Sequence, residues 1–309
     1  MCPHTKDIPL YDFPGALIAA FGFKLYKLKS YQSSGSDTDK GDHIPLKTNV
    51  PHRHNFYEIC IFQDGGGVHE IDFKTHPVKP YSLHFISPGQ VHLLKGSVKN
   101  NGYVLTFTDD FFSSETLSPG WLADLPFFNV LQAHPILQLD HKQFSYILNL
   151  LGTIESDFYS MRDSSRPIIQ SYVKVLLLKC NYFFIQGERS LISNDDSAHK
   201  LVGQFKHLLE RYFNSKHQVQ DYSELLNVTP AHINRCCKLV LGKPVSELIH
   251  HRIILEAKRL LLYTDWTSKE IAYHLQYQDP GYFSRVFKKR TRLTPSEFRD
   301  QNAPVEPLE

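Results

Sequence analysis

The 309-residue sequence has no uninterrupted apolar run near the roughly 18 residues that a membrane-spanning helix needs, so no membrane partner is expected. Its N-terminus has no basic region followed by a long apolar stretch, and no signal peptide is expected. Cysteine is scarce. Cys2, Cys60, Cys180, Cys236 and Cys237 are odd in number, scattered, and without metal-type spacing. That usage points to a reduced cytoplasm rather than to secretion. No Ser/His/Asp or Cys/His constellation and no phosphate loop stands out. No catalytic residues, no enzymatic activity and no cofactor are therefore expected.

What is present suits two domains. Hydrophobic residues make up 41% of the chain, enough for proper cores. The net charge of +2 conceals an asymmetry. Residues 197–301 carry 17 Lys+Arg against 10 Asp+Glu, whereas the rest carries 17 against 22. A basic C-terminal half joined to an acidic N-terminal half suits nucleic-acid binding by the former.

The basic half is organised around a repeat between Asp221 and Asp300. Ile233, Asn234, Arg235, Cys236, Cys237 and Lys238 return 50 residues later as Phe283, Ser284, Arg285, Val286, Phe287 and Lys288. A repeat at this distance suggests a duplicated supersecondary unit. In each copy a short helix (Asp221 to Leu226; Ser268 to Gln276) leads through a tight turn to a second helix. Thr229 with Pro230, and Asp279 with Pro280, supply an N-cap and a proline at the first helical position. This is the sequence form of a helix-turn-helix, whose second helix can enter the DNA major groove. A helix from Val245 to Leu262 connects the copies, and Thr294, Pro295 and Glu297 open a last short one with a capping-box-like start.

The acidic half begins with an arm and a first strand near Phe21 to Lys29, followed by a polar loop at 32–43. Phe56 to Phe62, Val68 to Phe73, Leu83 to Ile86 and Tyr103 to Phe107 read as short strands, with a turn at Gly65, Gly66 and Gly67. Short strands at this spacing imply a sandwich or small barrel. Residues 109–138 read as short helices and loops covering it. From Asp140 the period becomes helical, with Phe144, Ile147, Leu148, Leu151, Ile154 and Phe158 on one stripe. A second helix from Pro167 to about Ile185 is apolar nearly all round, interrupted only by Lys174 and Lys179. Such a helix needs cover on every side, and a second subunit is the cheapest cover.

Within the strands, His52, His54, Glu58 and Gly65, then Pro88, Gly89 and His92, resemble the two motifs of the cupin barrel. In metal-binding cupins the corresponding three His and one Glu hold one ion, and imidazoles with a carboxylate suit Fe, Mn, Ni or Zn. Gly89 directly follows Pro88, which departs from the commoner second motif. Alternation places His52, His54, Glu58, Cys60 and Phe62 on one face of the strand. That face combines polar and apolar groups, as a small-molecule site does. An effector pocket of His54, Glu58, His92, Cys60 and Phe62 is therefore expected, and a metal on His52, His54, Glu58 and His92 is not favoured. His69, His76 and His84 are expected to have no role.

The C-terminal hundred residues resemble the DNA-binding domain of the AraC/XylS family of transcription regulators. The residues that carry the likeness are Thr229, Pro230, His232, Ile233, Asn234 and Arg235; Arg252, Ala257, Leu260 and Leu261; Ile271 and Ala272; Tyr282 to Lys288; and Pro295, Phe298 and Arg299. Gln276 and Tyr277 stand where the family usually has Gly-Phe, Cys237 where an aromatic is common and Ser223 where Ala is common. The resemblance implies an α+β chain with a cupin-like sensor barrel and arm (1–138), a dimerising helical hairpin (139–187) and a linker (188–198). A double helix-turn-helix domain (199–301) and a tail (302–309) follow. It also implies base contacts by Ala231, Asn234 and Arg235 in one copy and by Gly281, Tyr282 and Arg285 in the other. Thr229, Lys238, Lys288, Lys289 and Arg290 would meet phosphates. Arg252 and Arg299 fit internal partnerships. The implied partners are double-stranded DNA, a small-molecule effector, a second copy of the chain and RNA polymerase. The alternative is a metal-dependent cupin enzyme, an oxygenase or isomerase, fused to a DNA-binding domain.

Overall fold

The computed structural model describes residues 8–12, 22–28, 50–95, 101–112, 121–129, 134–161, 166–187 and 196–302. The loop at 32–43, most of the arm and most of the linker lie outside the described residues, as do residues 303–309. The chain forms two compact units, one of residues 9–118 and 125–192, the other of residues 1–8, 119–124 and 193–309.

The first unit is built on strands β1 (Leu10–Tyr11), β2 (Phe23–Leu28), β3 (Arg53–His54), β4 (Tyr57–Phe62), β5 (Val68–Ile71), β6 (Lys74–Pro77), β7 (Ser82–Ile86), β8 (His92–Lys95), β9 (Gly102–Phe107) and β10 (Ile136–Gln138). One antiparallel sheet has the order β10-β7-β4-β9-β2, another has the order β6-β5-β8, and β1 pairs parallel with β3. Strand β4 is the centre. Glu58, Cys60 and Phe62 share a face with their cross-strand neighbours Ile86, His84 and Ser82 on β7. On that face Cys60, Phe62, Ile86 and Val104 pack with Ile71, Val78 and Leu94 from around the second sheet. On the opposite face Tyr57 stacks on Phe107 and meets Phe128 edge-on, and Ile59 and Ile61 are fully buried. A strand covered on both faces reads as a continuous apolar run. Gly102, opposite Phe62, is required by contact: a Cβ there would lie 1.9 Å from the Ile61 carbonyl oxygen.

The short β1 and β3 were not expected, and β5, β6, β8 and β10 also differ from expectation. The segment from Val68 stops at Ile71, because Asp72 (φ 53°) turns the chain back as β6. Strand β8 begins at His92, just beyond the Pro88–Gly89 turn. Strand β10 lies in a stretch read as helix and loop; three residues are too few to show alternation, and pairing with β7 makes them a strand.

Helices α2 (His141–Met161) and α3 (Arg166–Gly187) form the expected hairpin. The residues between them lie outside the described set. The α2 stripe of Phe144, Ile147, Leu151 and Ile154 is buried. By length and composition alone α3 is apolar enough to cross a membrane, as a helix of a soluble protein also can be. Lys174 and Lys179 interrupt the run without lowering its mean hydropathy enough to exclude it.

The second unit contains α4 (Asp196–Tyr212), α5 (Val219–Leu225), α6 (Pro230–Leu241), α7 (Val245–Tyr263), α8 (Ser268–His274), α9 (Pro280–Thr291) and α10 (Pro295–Asn302), with the short α1 (Trp121–Asp124) packed on α4. Residues 119–124, expected in the barrel half, thus group with the helices. Leu122 is buried, and Asp124 Oδ1 lies 4.0 Å from Lys206 Nζ on α4. The α7 rod buries Val245, Leu248, Ile249, Ile253, Ala257, Leu260 and Leu261. It also buries charge. Arg252 bonds Glu210 on α4 and Glu256, and the fully buried Arg259 bonds Glu256 at 3.0 Å. Arg299 donates to the carbonyls of Leu261, Thr264 and Trp266.

The duplicated helix pairs match bond for bond. Val228 N–H bonds the Ser223 carbonyl as Tyr277 N–H bonds that of Ala272, an offset of 49 residues. From the N-caps Thr229 and Asp279 onward the offset is 50. Gln278 is the inserted residue, and the register slips there. Each turn needs one left-handed residue, Asn227 (φ 52°) in the first and Gln276 (φ 55°) in the second. Asn tolerates that conformation, whereas Gln pays a steric cost of about 1–2 kcal/mol. Gln276→Gly should therefore stabilise the helical unit by about 1 kcal/mol net of glycine's chain entropy. Chemical denaturation followed by helix signal checks this; an unchanged or lower midpoint would mean that the turn is unstrained.

Candidate effector site and nucleic-acid interface

The polar groups of the barrel meet at one end of β4. His52 and His92 form an antiparallel backbone pair, exchanging N–H···O bonds of 3.1 and 2.9 Å. That pairing sets their rings side by side, with centroids 4.3 Å apart. The Gly89 N–H donates to the His54 carbonyl, so the Pro88–Gly89 turn holds β3 beside His92. The expected effector residues His54, Glu58, His92, Cys60 and Phe62 are all buried, the first four clustered and Phe62 edge-on to the His84 ring at 4.9 Å. His54 Nε2 lies 3.8 Å and His92 Nδ1 4.0 Å from the Glu58 carboxylate, and Cys60 Sγ lies 3.3 Å from it. One nitrogen of each of His54 and His92 and one Glu58 oxygen lie within 4.8 Å of one another, a grouping that could hold a metal ion.

Burial sets the charges here. It pulls the His54 imidazolium down to about 3 and holds His69 and His92 well below the usual histidine range. It pushes the Glu58 carboxyl up to about 7 and the Cys60 thiol far above its usual value. The imidazoles are therefore neutral. His69 and His84 are both buried and hydrogen-bonded to one another and, through His69, to His92. His69 Nδ1 meets His84 Nδ1 and His69 Nε2 meets His92 Nδ1, each at 3.1 Å. Their strands, β5 and β7, belong to different sheets, and sequence spacing gave no sign that they would meet. Thr106, the cross-strand neighbour of Glu58, has a buried hydroxyl without a partner.

On the helical unit, α6 and α9 present equivalent surfaces. Ala231 and Arg235 on α6, and Gly281, Tyr282 and Arg285 on α9, are exposed near the N-terminal ends. Arg235 contacts His232 Nδ1 at 3.0 Å. Arg285 donates to Asp279 at 3.3 Å and lies 5.9 Å over the Tyr282 ring. Thr229, Lys238, Lys288, Lys289 and Arg290 are exposed, three of them in the last turn of α9. Asn234 is placed differently from the base contact expected of it. Its Nδ2 donates to the Pro230 carbonyl, and its Oδ1 accepts the Val245 N–H at the start of α7. Both ends of the amide are engaged inside the fold. Its counterpart Ser284 likewise bonds back to Pro280.

Asn234 therefore behaves as the cap of α7. Asn234→Ala should cost about 1 kcal/mol of helical-unit stability and leave base preference unchanged, while Asn234→Asp should retain most of the stability. Denaturation together with binding to a panel of altered DNA sites checks this; relaxed preference at one base pair would restore Asn234 as a reader.

Comparison with known proteins finds a family match in each half of the chain. Residues 44–165 match an AraC-like ligand binding domain, and residues 222–301 match a helix-turn-helix domain. The transcriptional activator RhaR of Mannheimia succiniciproducens is 24% identical over 253 residues, covering 81% of this chain and 87% of that protein. The activator RhaS of Yersinia pestis is 22% identical over 289 residues, covering 90% and 98%. The activator Btr of Bacillus subtilis is 25% identical over 239 residues, covering 74% of this chain and 41% of that longer protein. Among solved structures, ToxT of Vibrio cholerae O395 aligns with 92% of this chain and 99% of its own at 15% identity and a TM-score of 0.37. The two sequence matches cover the barrel and the reading helices in the expected order, and the chain belongs to the AraC/XylS family of transcription regulators, with a ligand-binding domain ahead of a helix-turn-helix DNA-binding domain.

Proposed function

We propose that the protein acts in the cytoplasm as a homodimeric, effector-controlled activator, not as an enzyme, and that it works beside RNA polymerase. The observation that carries the DNA-binding reading is the pair of exposed arginines, Arg235 and Arg285, at equivalent positions on two N-capped helices. Arginine reads guanine through a bidentate bond to O6 and N7. Ala231 in one copy, and Gly281 and Tyr282 in the other, would line the same groove edges. Thr229, Lys238, Lys288, Lys289 and Arg290 would engage phosphates and fix the register. Activation is the role in which RhaR, RhaS and Btr are named. Two reading helices joined by one rod would occupy adjacent half-sites about 10 bp apart. Arg235→Ala and Arg285→Ala should each relax preference in one half-site only, by roughly 1–3 kcal/mol. Footprinting and competition with substituted sites test this, and an unchanged base preference for either variant would remove that helix as a reader.

The dimer reading rests on α3. Ile169, Val173, Leu176, Leu177 and Cys180 are buried, whereas Ile168, Val175, Leu178, Tyr182 and Ile185 are 38–52% exposed. With Ser171, the exposed set follows a heptad seam, alternating steps of three and four residues. Lys179 lies over the rings of Tyr146 and Tyr182, so its charge sits beside the seam rather than across it. Val175→Asp or Leu178→Asp should give monomers with an intact barrel. Sedimentation detects the change, and dimers of unaltered stability would move the interface elsewhere.

The effector reading places a small polar molecule against His54, Glu58 and His92, with Cys60 and Phe62 as walls. A ligand that binds one state of the barrel preferentially would shift the population that engages DNA.

A further inference from the structure

The helical unit includes a short helix that comes from the other half of the sequence. Trp121–Asp124 form α1, which packs on α4. These residues nevertheless fall inside the 44–165 match to the ligand-binding domain. Their seat is a glycine. Gly203 lies in the interior of α4 (Asp196–Tyr212), where glycine weakens a helix through its chain entropy. A Cβ at Gly203 would lie 2.7 Å from the Asp124 carboxyl carbon and closer still to both of its oxygens. Three residues on, Lys206 places Nζ 4.0 Å from the same carboxylate. Burial raises the Asp124 carboxyl, and Lys206 and His199 act to lower it. Residues three and four apart share a helix face, so His199, Gly203 and Lys206 form one carboxylate seat along α4. Lys206 is itself only 8% exposed. Burial lowers its amine, and Asp124 and then Cys237 act to raise it. Cys237 is fully buried on α6, the first reading helix, and α6 packs along α4. On its other side α1 is continuous with the barrel unit, which resumes at Leu125. There Phe127 stacks on Phe85 of β7 at 4.0 Å, and the Ser87 hydroxyl donates to the Phe128 carbonyl at 3.0 Å.

Taking a counter-charge away from a buried ammonium is costly. If Asp124 leaves its seat, Lys206 must turn toward solvent or give up its proton, and either change disturbs the surface on which α6 lies. We propose that α1 is a latch: Asp124, seated on Gly203 against Lys206, is a positioning residue that sets the first reading helix on α4. The second reading helix is outside its reach, since α9 packs on α8 and α10. The ligand-binding half of the sequence therefore bears on one reader and not on the other. A glycine inside α4 is explained by the same geometry, because no other residue leaves room for the carboxylate. The inference rests on the reading of α6 as a DNA-contacting helix and adds the element that positions it.

The test uses the full chain. In an ordinary helix Gly203→Ala would stabilise, but here its methyl group displaces the Asp124 carboxylate. Asp124→Ala should lower the melting temperature of the natural chain and leave that of Gly203→Ala unchanged, so that the two changes are non-additive. Additive changes mean that the carboxylate has no seat on Gly203 and overturn the latch. Hydrogen exchange read by mass spectrometry separates positioning from general loosening. Asp124→Ala should speed exchange in α6 (Pro230–Leu241) and leave α9 (Pro280–Thr291) as it was. Footprinting should show the half-site of α6 weakened by about 2–30-fold, the range for residues that act on a site without touching it, with the half-site of α9 intact. Adding Lys206→Met to Asp124→Ala should restore both readouts, because it removes the buried charge and keeps the apolar stem. Equal changes at the two helices, or no recovery in the double variant, overturn the positioning role. A natural chain without a footprint would sink the DNA-binding reading alone, since melting and exchange decide the latch without DNA.

Discussion

Strand β4 is buried on both faces, so every polar group that it or its neighbours carry must find a partner inside the barrel. The apolar majority meets this constraint at no cost, by packing Ile59 and Ile61 outward and Phe62 inward. The minority does not. Glu58 has a weak thiol donor at Cys60 and imidazoles at 3.8 Å or more, beyond hydrogen-bonding distance. Unpaired buried charge is costly, and burial accordingly raises the Glu58 carboxyl and lowers the histidines. The imidazole chain from Ser82 to His92 satisfies every nitrogen except the last. The deficit is thereby concentrated at one end of the strand, where a ligand would relieve it.

The helical unit handles the same constraint with backbone groups. A helix start leaves orphan N–H groups, and here most are met by side chains close in sequence. Thr229, Asp279 and Thr267 cap their own helices. The start of α7 is the exception: its N-cap Pro244 offers no side-chain cap, and Asn234 reaches from α6 to supply one. Reading helix and connecting rod are thereby joined by a hydrogen bond, which is why an amide that looks like a base reader is spent internally. Arg252, Glu210 and Glu256 do the same between α4 and α7 with charges, and leaving any one of them unpaired would expose the cost of the others.

Legibility in the sequence followed the length of each signal. The duplicated helices were readable because a ten-residue pattern of cap, proline, arginine and lysine recurs at a fixed distance of 50 residues. The one-residue slip at Gln278 was not, because it falls in a turn where neither period applies. The parity of His52, His54 and Glu58 placed them on one face correctly, since β3 and β4 keep alternation across the bend at Asn55 and Phe56. The meeting of His69 with His84 and His92 depends on how two sheets face each other, and no local pattern encodes that. Strand β10 was hidden for the same reason: its identity comes from β7. The internal bonds of Asn234 were not legible, because a base contact was inferred from residue type, whereas its Oδ1 accepts from a helix start eleven positions away.

The two reading helices are copies in geometry but differ in electrostatics. In the first, a neutral Thr229 caps the helix and Arg235 rests on the His232 imidazole. In the second, the cap is Asp279, which accepts from Gly281 and Tyr282 and also holds Arg285. An exposed pair of this kind contributes little stability, so Arg285 can be released to a base at small cost, yet the pairing keeps its side chain extended at the groove-facing end until then. Asp279 cannot follow it, because its oxygens are committed to the backbone. The second helix therefore carries a fixed negative charge at its N-terminus and Lys288, Lys289 and Arg290 in its last turn, where the first helix has Lys238 alone. Cationic charge is thus displaced toward the C-terminal end of the second reader. On the proposed contacts, its hold on DNA would depend more on phosphates, and hence on salt, than that of the first.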